Sequence, residues 1–269
     1  MIKKLLLGLL VFGGLQSCST NAITGRSQLS LVSSSEMNSM SLTQYKQFLT
    51  ENKVVSTAGS KDVEMVKRVG SRIAAAITQY YQAKGGGNNP LAGYQWEFNL
   101  VDSKEVNAWC MPGGKVVVYT GLLPVTQDEA SLAIVLGHEI THAVAEHGKE
   151  QYSQQLVASG LQSLGSAALT KNATAQNLFN SLYGPSAQLG MLHFSRNDEL
   201  EADHYGLIFA AMAGYNPQVA IPFWQRMSKL NQGASTPALL SSHPSDATRI
   251  AQLQKLMPEA LQYYKPVQK

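Results

Sequence analysis

The chain of 269 residues is 44% hydrophobic and 14% charged, with a formal net charge of +3. That apolar content sustains a core of domain size and excludes a disordered or fibrous chain. The charged fraction, well under the ~25% usual for soluble domains, excludes a coiled coil. The small, scattered excess of Lys and Arg offers no tract for nucleic acid, and two cysteines exclude a disulfide framework.

Lys3 and Lys4 precede the apolar run from Leu5 to Leu15, the order of a secretory signal, and this run is too short to remain as a bilayer-spanning helix. It ends in Leu15-Gln16-Ser17-Cys18, which is similar to a bacterial lipobox, where the cysteine becomes the first mature residue and carries lipid. Residues 1–17 therefore read as a lipoprotein signal peptide and Cys18 as the lipidation site. The Ser-, Thr-, Asn- and Gly-rich stretch 18–35 reads as a tether, and 36–269 as a single domain. With residues 1–17 removed, 252 remain, carrying 19 basic and 18 acidic side chains once Lys3 and Lys4 are gone. No later stretch reaches the ~18 consecutive apolar residues of a transmembrane helix. The expected location is the bacterial envelope, facing the periplasm, with the membrane contacted through the N-terminal lipid. The outer membrane is favoured, because Ser19 is not an acidic retention signal.

Along the body, Ser35-Glu36 opens a helix to about Asn52. Val63, Val66, Val69, Ile73, Ala76, Ile77 and Tyr80 then mark one apolar stripe of a helix over 61–83, ended by the Gly- and Asn-rich run 85–90. Tyr94, Trp96, Phe98 and Leu100 alternate with polar or small residues, so 94–101 reads as a half-buried strand, and Lys115–Thr120 as a second. Thr126-Gln127-Asp128-Glu129 has the spacing of a capping box, starting a helix to about Gly148. Residues 151–190 read as helix, loop and helix. Ser195-Arg196-Asn197-Asp198 begins another helix to about Ala213, Asn216-Pro217 one more, and a last follows His243-Pro244 to Met257. No internal repeat and no linker divides the chain.

The chemistry concentrates in His138-Glu139-Ile140-Thr141-His142. Histidines at i and i+4 share a helical face, so both rings reach one metal ion, and Glu139 beside them can address a water. A tetrahedral catalytic zinc takes a third protein ligand and leaves the fourth place to water. His147 lies five residues past His142 and so points round the helix. The longer metzincin pattern is excluded, since Ala145 and Gly148 stand where it needs Gly and His. The best remaining ligand is Glu199, which shares a helical face with Asp203. One of these acids can bind metal while the other accepts from a ligand imidazole. Glu201 points away from both and reads as a solvated acid.

The string His138-Glu-x-x-His142, then Glu199-x-x-x-Asp203 within Ser-Arg-x-x-Glu-x-Glu-Ala-Asp, resembles the zinc metallopeptidase family that includes HtpX, the CAAX prenyl endopeptidases, Oma and BepA. Asn107 to Gly114, Thr120-Gly121-Leu122, Ala213 to Pro217, His243-Pro244 and Arg249 fit the same pattern in order, over roughly 60–257. The resemblance implies an α+β, zincin-like (gluzincin) domain, mostly helical with a small sheet. It implies one zinc per chain on His138, His142 and Glu199, with Glu139 as catalytic base and Asp203 behind a ligand. Unlike HtpX and the CAAX enzymes the chain has no membrane helix, and unlike BepA it has no following repeat domain, so it resembles a compact lipoprotein branch.

The expected reaction is hydrolysis of peptide bonds in unfolded or misassembled envelope proteins, by water activated at the metal with Glu139 as general base. Lys115–Thr120 is expected to offer an edge to which an extended substrate adds, with Asn107, Val116, Val117 and Val118 as its contacts. His243 reads either as a helix N-terminal residue or, by the resemblance, as a group that assists the oxyanion or fills the fourth metal position. Arg249 is a further site candidate, His193 and His204 read as structural, and the small-residue stretch from Tyr152 to His193 is a candidate lid. The alternative function is a chaperone-like binding module with latent or structural zinc.

Overall fold

The computed structural model describes residues 18–56, 58–84, 91–162, 164–184, 194–230, 236–243 and 247–266. The signal segment, the Gly-rich run, His193 and Pro244 lie outside them. Strands β1 (Cys18–Thr20) and β2 (Ser27–Leu29) form an antiparallel hairpin. Helices α1 (Ser34–Glu51) and α2 (Lys61–Lys84) follow, then β3 (Glu97–Val101), β4 (Ala108–Met111) and β5 (Lys115–Tyr119). Helices α3 (Glu129–Val144), α4 (His147–Ala158), α5 (Ala173–Tyr183), α6 (Arg196–Met212), α7 (Ala220–Leu230) and α8 (Ala247–Tyr263) complete the chain, with short helical turns between. Helix predominates over two small sheets, as expected of an α+β domain. Among the described residues no helix is long and apolar enough to cross a membrane.

The three-stranded sheet has the order β3-β5-β4, with β3 parallel and β4 antiparallel to β5. Successive residues of β5 point to opposite faces, and both faces are covered. Val116 and Val118 join the core formed with α2, α3, α6, α7 and α8. Val117 and Tyr119 join a second core with Tyr45 and Phe48 of α1, Tyr152 and Leu156 of α4, and Phe179 and Tyr183 of α5. The expected edge at Lys115–Thr120 is therefore central. Val116, Val117 and Val118 are each 0% exposed, and the sheet edges lie at β3 and β4.

Two expectations change at the start of the domain. Residues 18–32 do not form a loose tether. Asn21 and Gln28 are buried and donate from Nδ2 and Nε2 to the Ala145 carbonyl at 2.7 and 2.9 Å, satisfying a backbone acceptor orphaned by the end of α3. Their polarity serves burial rather than solvation. At the other end of α3, the cap is Asp128, which accepts from the Ser131 N–H at 2.6 Å. Thr126 belongs instead to the preceding turn Leu123–Thr126, which Gln127 closes at φ 68°. Within 152–193, the described part through Tyr183 contributes fully buried side chains to the second core, so it is body rather than lid.

Candidate metal centre

Helix α3 is buried along almost its whole length, which is why its apolar residues show no narrow stripe. It crosses α6 with backbone against backbone. A Cβ on Gly137 would stand 2.6 Å from the Gly206 carbonyl oxygen, and one on Gly206 would stand 2.8 Å from the His138 nitrogen. This absence of side chains lets two helices meet one residue away from His138 and brings the acids of α6 beneath the histidines of α3.

His138 Nε2 and His142 Nε2 lie 3.1 Å apart. Glu199 Oε2 is 3.5 Å from the first and its Oε1 3.4 Å from the second. His243 Nδ1, from the loop before α8, lies 3.1 Å from His138 Nε2 and 2.7 Å from Glu199 Oε1. These four ligand atoms all fall within 4.8 Å of one another. Ligand atoms bound tetrahedrally at ~2.0–2.1 Å stand ~3.3 Å apart, so the spacing fits a zinc ion. Buried Glu199 Oε2 and Glu139 Oε1 make no hydrogen bond, an arrangement that costs ~1–3 kcal/mol per group unless a partner arrives. Burial holds the His142 pKa well below its usual value, leaving the neutral imidazole that a metal requires. Burial alone would raise Glu199, but His243, His138 and His142 outweigh it and hold the carboxylate ionised. Glu139 is pushed up to about 7 by burial.

The outer nitrogens of the two histidines are fixed differently. His138 Nδ1 lies 3.0 Å from Asp203 Oδ1, and Asp203 takes two hydrogen bonds from Arg249, at 2.9 Å from Nε and 2.6 Å from Nη2. Arg249 lies flat on the Trp224 ring, 3.5 Å from its centroid. Burial would raise the Asp203 pKa, yet Arg249 and His138 keep it below the ordinary range. Arg249, a site candidate from the sequence, thus lies against Asp203 and His138.

His142 Nδ1 faces His147 Nδ1 at 2.8 Å, and His147 Nε2 faces Glu201 Oε2 at 3.0 Å. Here the sequence reading fails on both residues. It treats 138–148 as one helix, but the chain breaks at Glu146, in the left-handed region at φ 57°, and His147 starts a new helix turned back toward His142. Glu201 is 19% exposed on its side chain and meets His147 instead of solvent. His204 pairs with exposed Glu259 at 2.8 Å, away from the metal ligands. Phe194, unmarked in the sequence, stacks on His142 with centroids 4.0 Å apart. Asn107 is buried and its Oδ1 accepts from the Ala108 N–H. Beside Glu139 and His142 opens a pocket lined in part by Met37, Tyr94, Trp109, Met111 and Tyr183, with β4 along one wall.

A buried His-Glu-x-x-His helix, an acid-bearing helix crossing it, and an edge strand beside both define a zincin-type metallopeptidase domain, and the donor set suits its zinc. Peptidase family M48 matches residues 62–257, and the chain belongs to that family. It is 39% identical over 180 residues to "Mitochondrial metalloendopeptidase OMA1" of Arabidopsis thaliana, covering 66% of this chain and 35% of that protein. It is 31% identical over 275 residues to "Metalloendopeptidase OMA1, mitochondrial" of Bos taurus, covering 96% and 50%. It is 32% identical over 185 residues to "Beta-barrel assembly-enhancing protease" of Yersinia pestis, covering 65% and 38%. The chain thus spans between about a third and a half of the length of these relatives.

Proposed function

We propose that this chain is a zinc-dependent endopeptidase, with His138, His142 and Glu199 as the ligands and Glu139 as the general base. The observation that carries this is Glu139 itself: a buried carboxylate with one oxygen free of hydrogen bonds, one residue from a ligand and lining the pocket. A purely structural site has no use for such a group. Bound zinc supplies a Lewis acid that polarises a carbonyl and acidifies water. The Glu139 carboxylate takes a proton from the attacking water and returns it to the leaving amine. Asp203 keeps the His138 Nε2 lone pair turned inward by accepting from Nδ1–H.

The unpaired edge of β4, one wall of the pocket, suits an extended segment added as a strand, which fixes a scissile bond through backbone hydrogen bonds and reads little sequence. We assign unfolded or misassembled envelope proteins as the substrates. The name of the Yersinia pestis relative and the lipobox at Cys18 both support an envelope site, with the protein held to the outer membrane by lipid. His243 supplies the fourth ligand atom of the cluster, which supports the latch among its possible roles: it fills the place that substrate and water need.

The test uses protein beginning after Cys18, assayed for bound zinc and for cleavage of an unfolded protein, beside Glu139→Gln. The wild type should bind one zinc and cleave, and the variant should bind zinc and lose cleavage by at least ~100-fold. A zinc-free wild type, or equal cleavage by both, refutes the enzyme and leaves the binding module.

A further inference from the structure

His138 is backed directly by an acid and His142 by an acid through a second histidine, and each acid is met by an arginine. The first chain runs His138, Asp203, Arg249, entirely within residues matched by the family. The second runs His142, His147, Glu201, Arg26, and its last member stands in the β1–β2 hairpin, outside that match. Arg26 Nε donates to Glu201 Oε1 at 2.9 Å, one Nη to Asp198 Oδ1 at 2.8 Å, and the other to Glu150 Oε1 at 3.0 Å. The hairpin is held in place independently by Asn21 and Gln28 on the Ala145 carbonyl.

The proton positions along this chain follow from the ends. The inward nitrogen of His142 is Nε2, 3.1 Å from His138 Nε2 and 3.4 Å from Glu199, so a metal on it leaves the proton on Nδ1. That proton needs an acceptor, and among the described residues the atom paired with it is His147 Nδ1 at 2.8 Å. His147 must then carry its own proton on Nε2, where Glu201 Oε2 accepts it at 3.0 Å. Glu201 has to stay ionised and aimed at His147, and Arg26 binds its other oxygen. His147, Asp198 and Glu201 also sit close enough to hold a cation of their own. The Arg26 guanidinium already occupies that place, on Asp198 and Glu201 together, which argues against a second metal.

We propose that Arg26 is a positioning residue for the metal centre: through Glu201 and His147 it fixes the tautomer and ring orientation of His142, so the N-terminal hairpin sets metal affinity from outside the family domain. The inference rests on His142 being a ligand, as proposed above. Outer-shell partners of this kind alter metal affinity by ~10–100-fold when removed. Arg26 is one member further out than Glu201, so the lower end of that range is the expectation for it.

The experiment measures zinc dissociation constants by chelator competition, and the visible spectrum of the cobalt-substituted protein, for protein beginning after Cys18. Wild type, Arg26→Gln, Glu201→Gln and the double variant are compared, with Lys53→Gln as a control that removes an exposed ion pair far from the site. Arg26→Gln should weaken zinc binding ~10-fold and shift the cobalt bands, Arg26→Lys should restore part of the loss, and Glu201→Gln should weaken binding at least as much. The double variant should bind no worse than Glu201→Gln alone, because Arg26 has nothing left to align. Zinc affinity within twofold of wild type in Arg26→Gln, even with a lowered Tm, makes the hairpin a mere strap and overturns the proposal. Additive losses in the double variant also overturn it. Should Arg26→Gln fail to fold, the isosteric Glu201→Gln decides alone, and unchanged affinity there overturns the proposal. A wild type that binds no zinc defeats the metal-site reading itself, a result distinct from any of these.

Discussion

Substituting Gly137 by Ala tests whether the crossing of α3 and α6 builds the metal site. The new Cβ would stand 2.6 Å from the Gly206 carbonyl oxygen, whereas ordinary contact begins near 3.4 Å, so the helices must part by about 0.8 Å. The obstructing atoms all belong to the Gly206 backbone, so no side chain can rotate away. The His138 Nδ1 to Asp203 Oδ1 hydrogen bond, now 3.0 Å, would stretch past useful length, and Glu199 would recede from both histidines. Overpacking of this sort costs ~1–3 kcal/mol, and a backbone clash belongs at the upper end. Replacing a mid-helix Gly gains back ~1 kcal/mol of propensity. The net expectation is a loss of ~2 kcal/mol in urea unfolding of the metal-free protein, with zinc affinity reduced ~10–100-fold. Propensity and packing act with opposite signs, so the outcome discriminates. A variant more stable than wild type, with zinc affinity within twofold, would show that the crossing has slack and refute the reasoning.

His243→Ala should keep zinc and raise cleavage of an unfolded protein several-fold, since it vacates the fourth place of the cluster; unchanged or lower cleavage counts against the latch. Asp203→Ala leaves Arg249, only 7% exposed on its side chain, without its main anion, and should cost ~3–5 kcal/mol in metal-free denaturation; a loss under ~1 kcal/mol would mean that water reaches the pair. At the surface, hydrogen bonding to Arg68 holds the Glu129 pKa below its ordinary value against the opposing effect of burial. A depressed carboxylate stabilises above its unfolded pKa of ~4.3 and loses that contribution as pH falls through the folded value. With both side chains more than a third exposed, Glu129→Gln should cost no more than ~1 kcal/mol at pH 7 and progressively less as pH falls through the folded value, read from melting curves across that range; a difference that does not shrink as pH falls would refute the ion-pair assignment.

What the sequence discloses divides by distance along the chain. Caps and stripes depend on neighbours three or four residues apart, and there most expectations hold: the Ser195–Asp198 capping box forms and α2 runs over 61–84 against an expected 61–83, although Asp128 takes the capping role expected of Thr126. Errors enter where a helical phase is carried across a break or a polar residue is assumed to be wet. Counting turns through Glu146 misplaces His147, because a left-handed residue interrupts the helix there, and composition misreads Asn21 and Gln28, which are buried on the Ala145 carbonyl. Glu201 shows the second error alone, since its angle on α6 is as counted but what lies there, Arg26 from 175 residues upstream, belongs to no local pattern.

That pattern of errors has a physical cause in the site. Buried carboxylates behind metal ligands must remain ionised, and an uncompensated buried charge costs several kcal/mol, so each needs a cation. The cation cannot come from α3, whose ring of neighbours is taken by the histidines, nor from the acids' own helix, where it would compete for their oxygens. It has to come from another element, here α8 for Asp203 and the N-terminal hairpin for Glu201. The proposed metal ligands are therefore readable from two helices, whereas the arginines behind them, Arg26 and Arg249, come from other elements and become visible only when the chain folds.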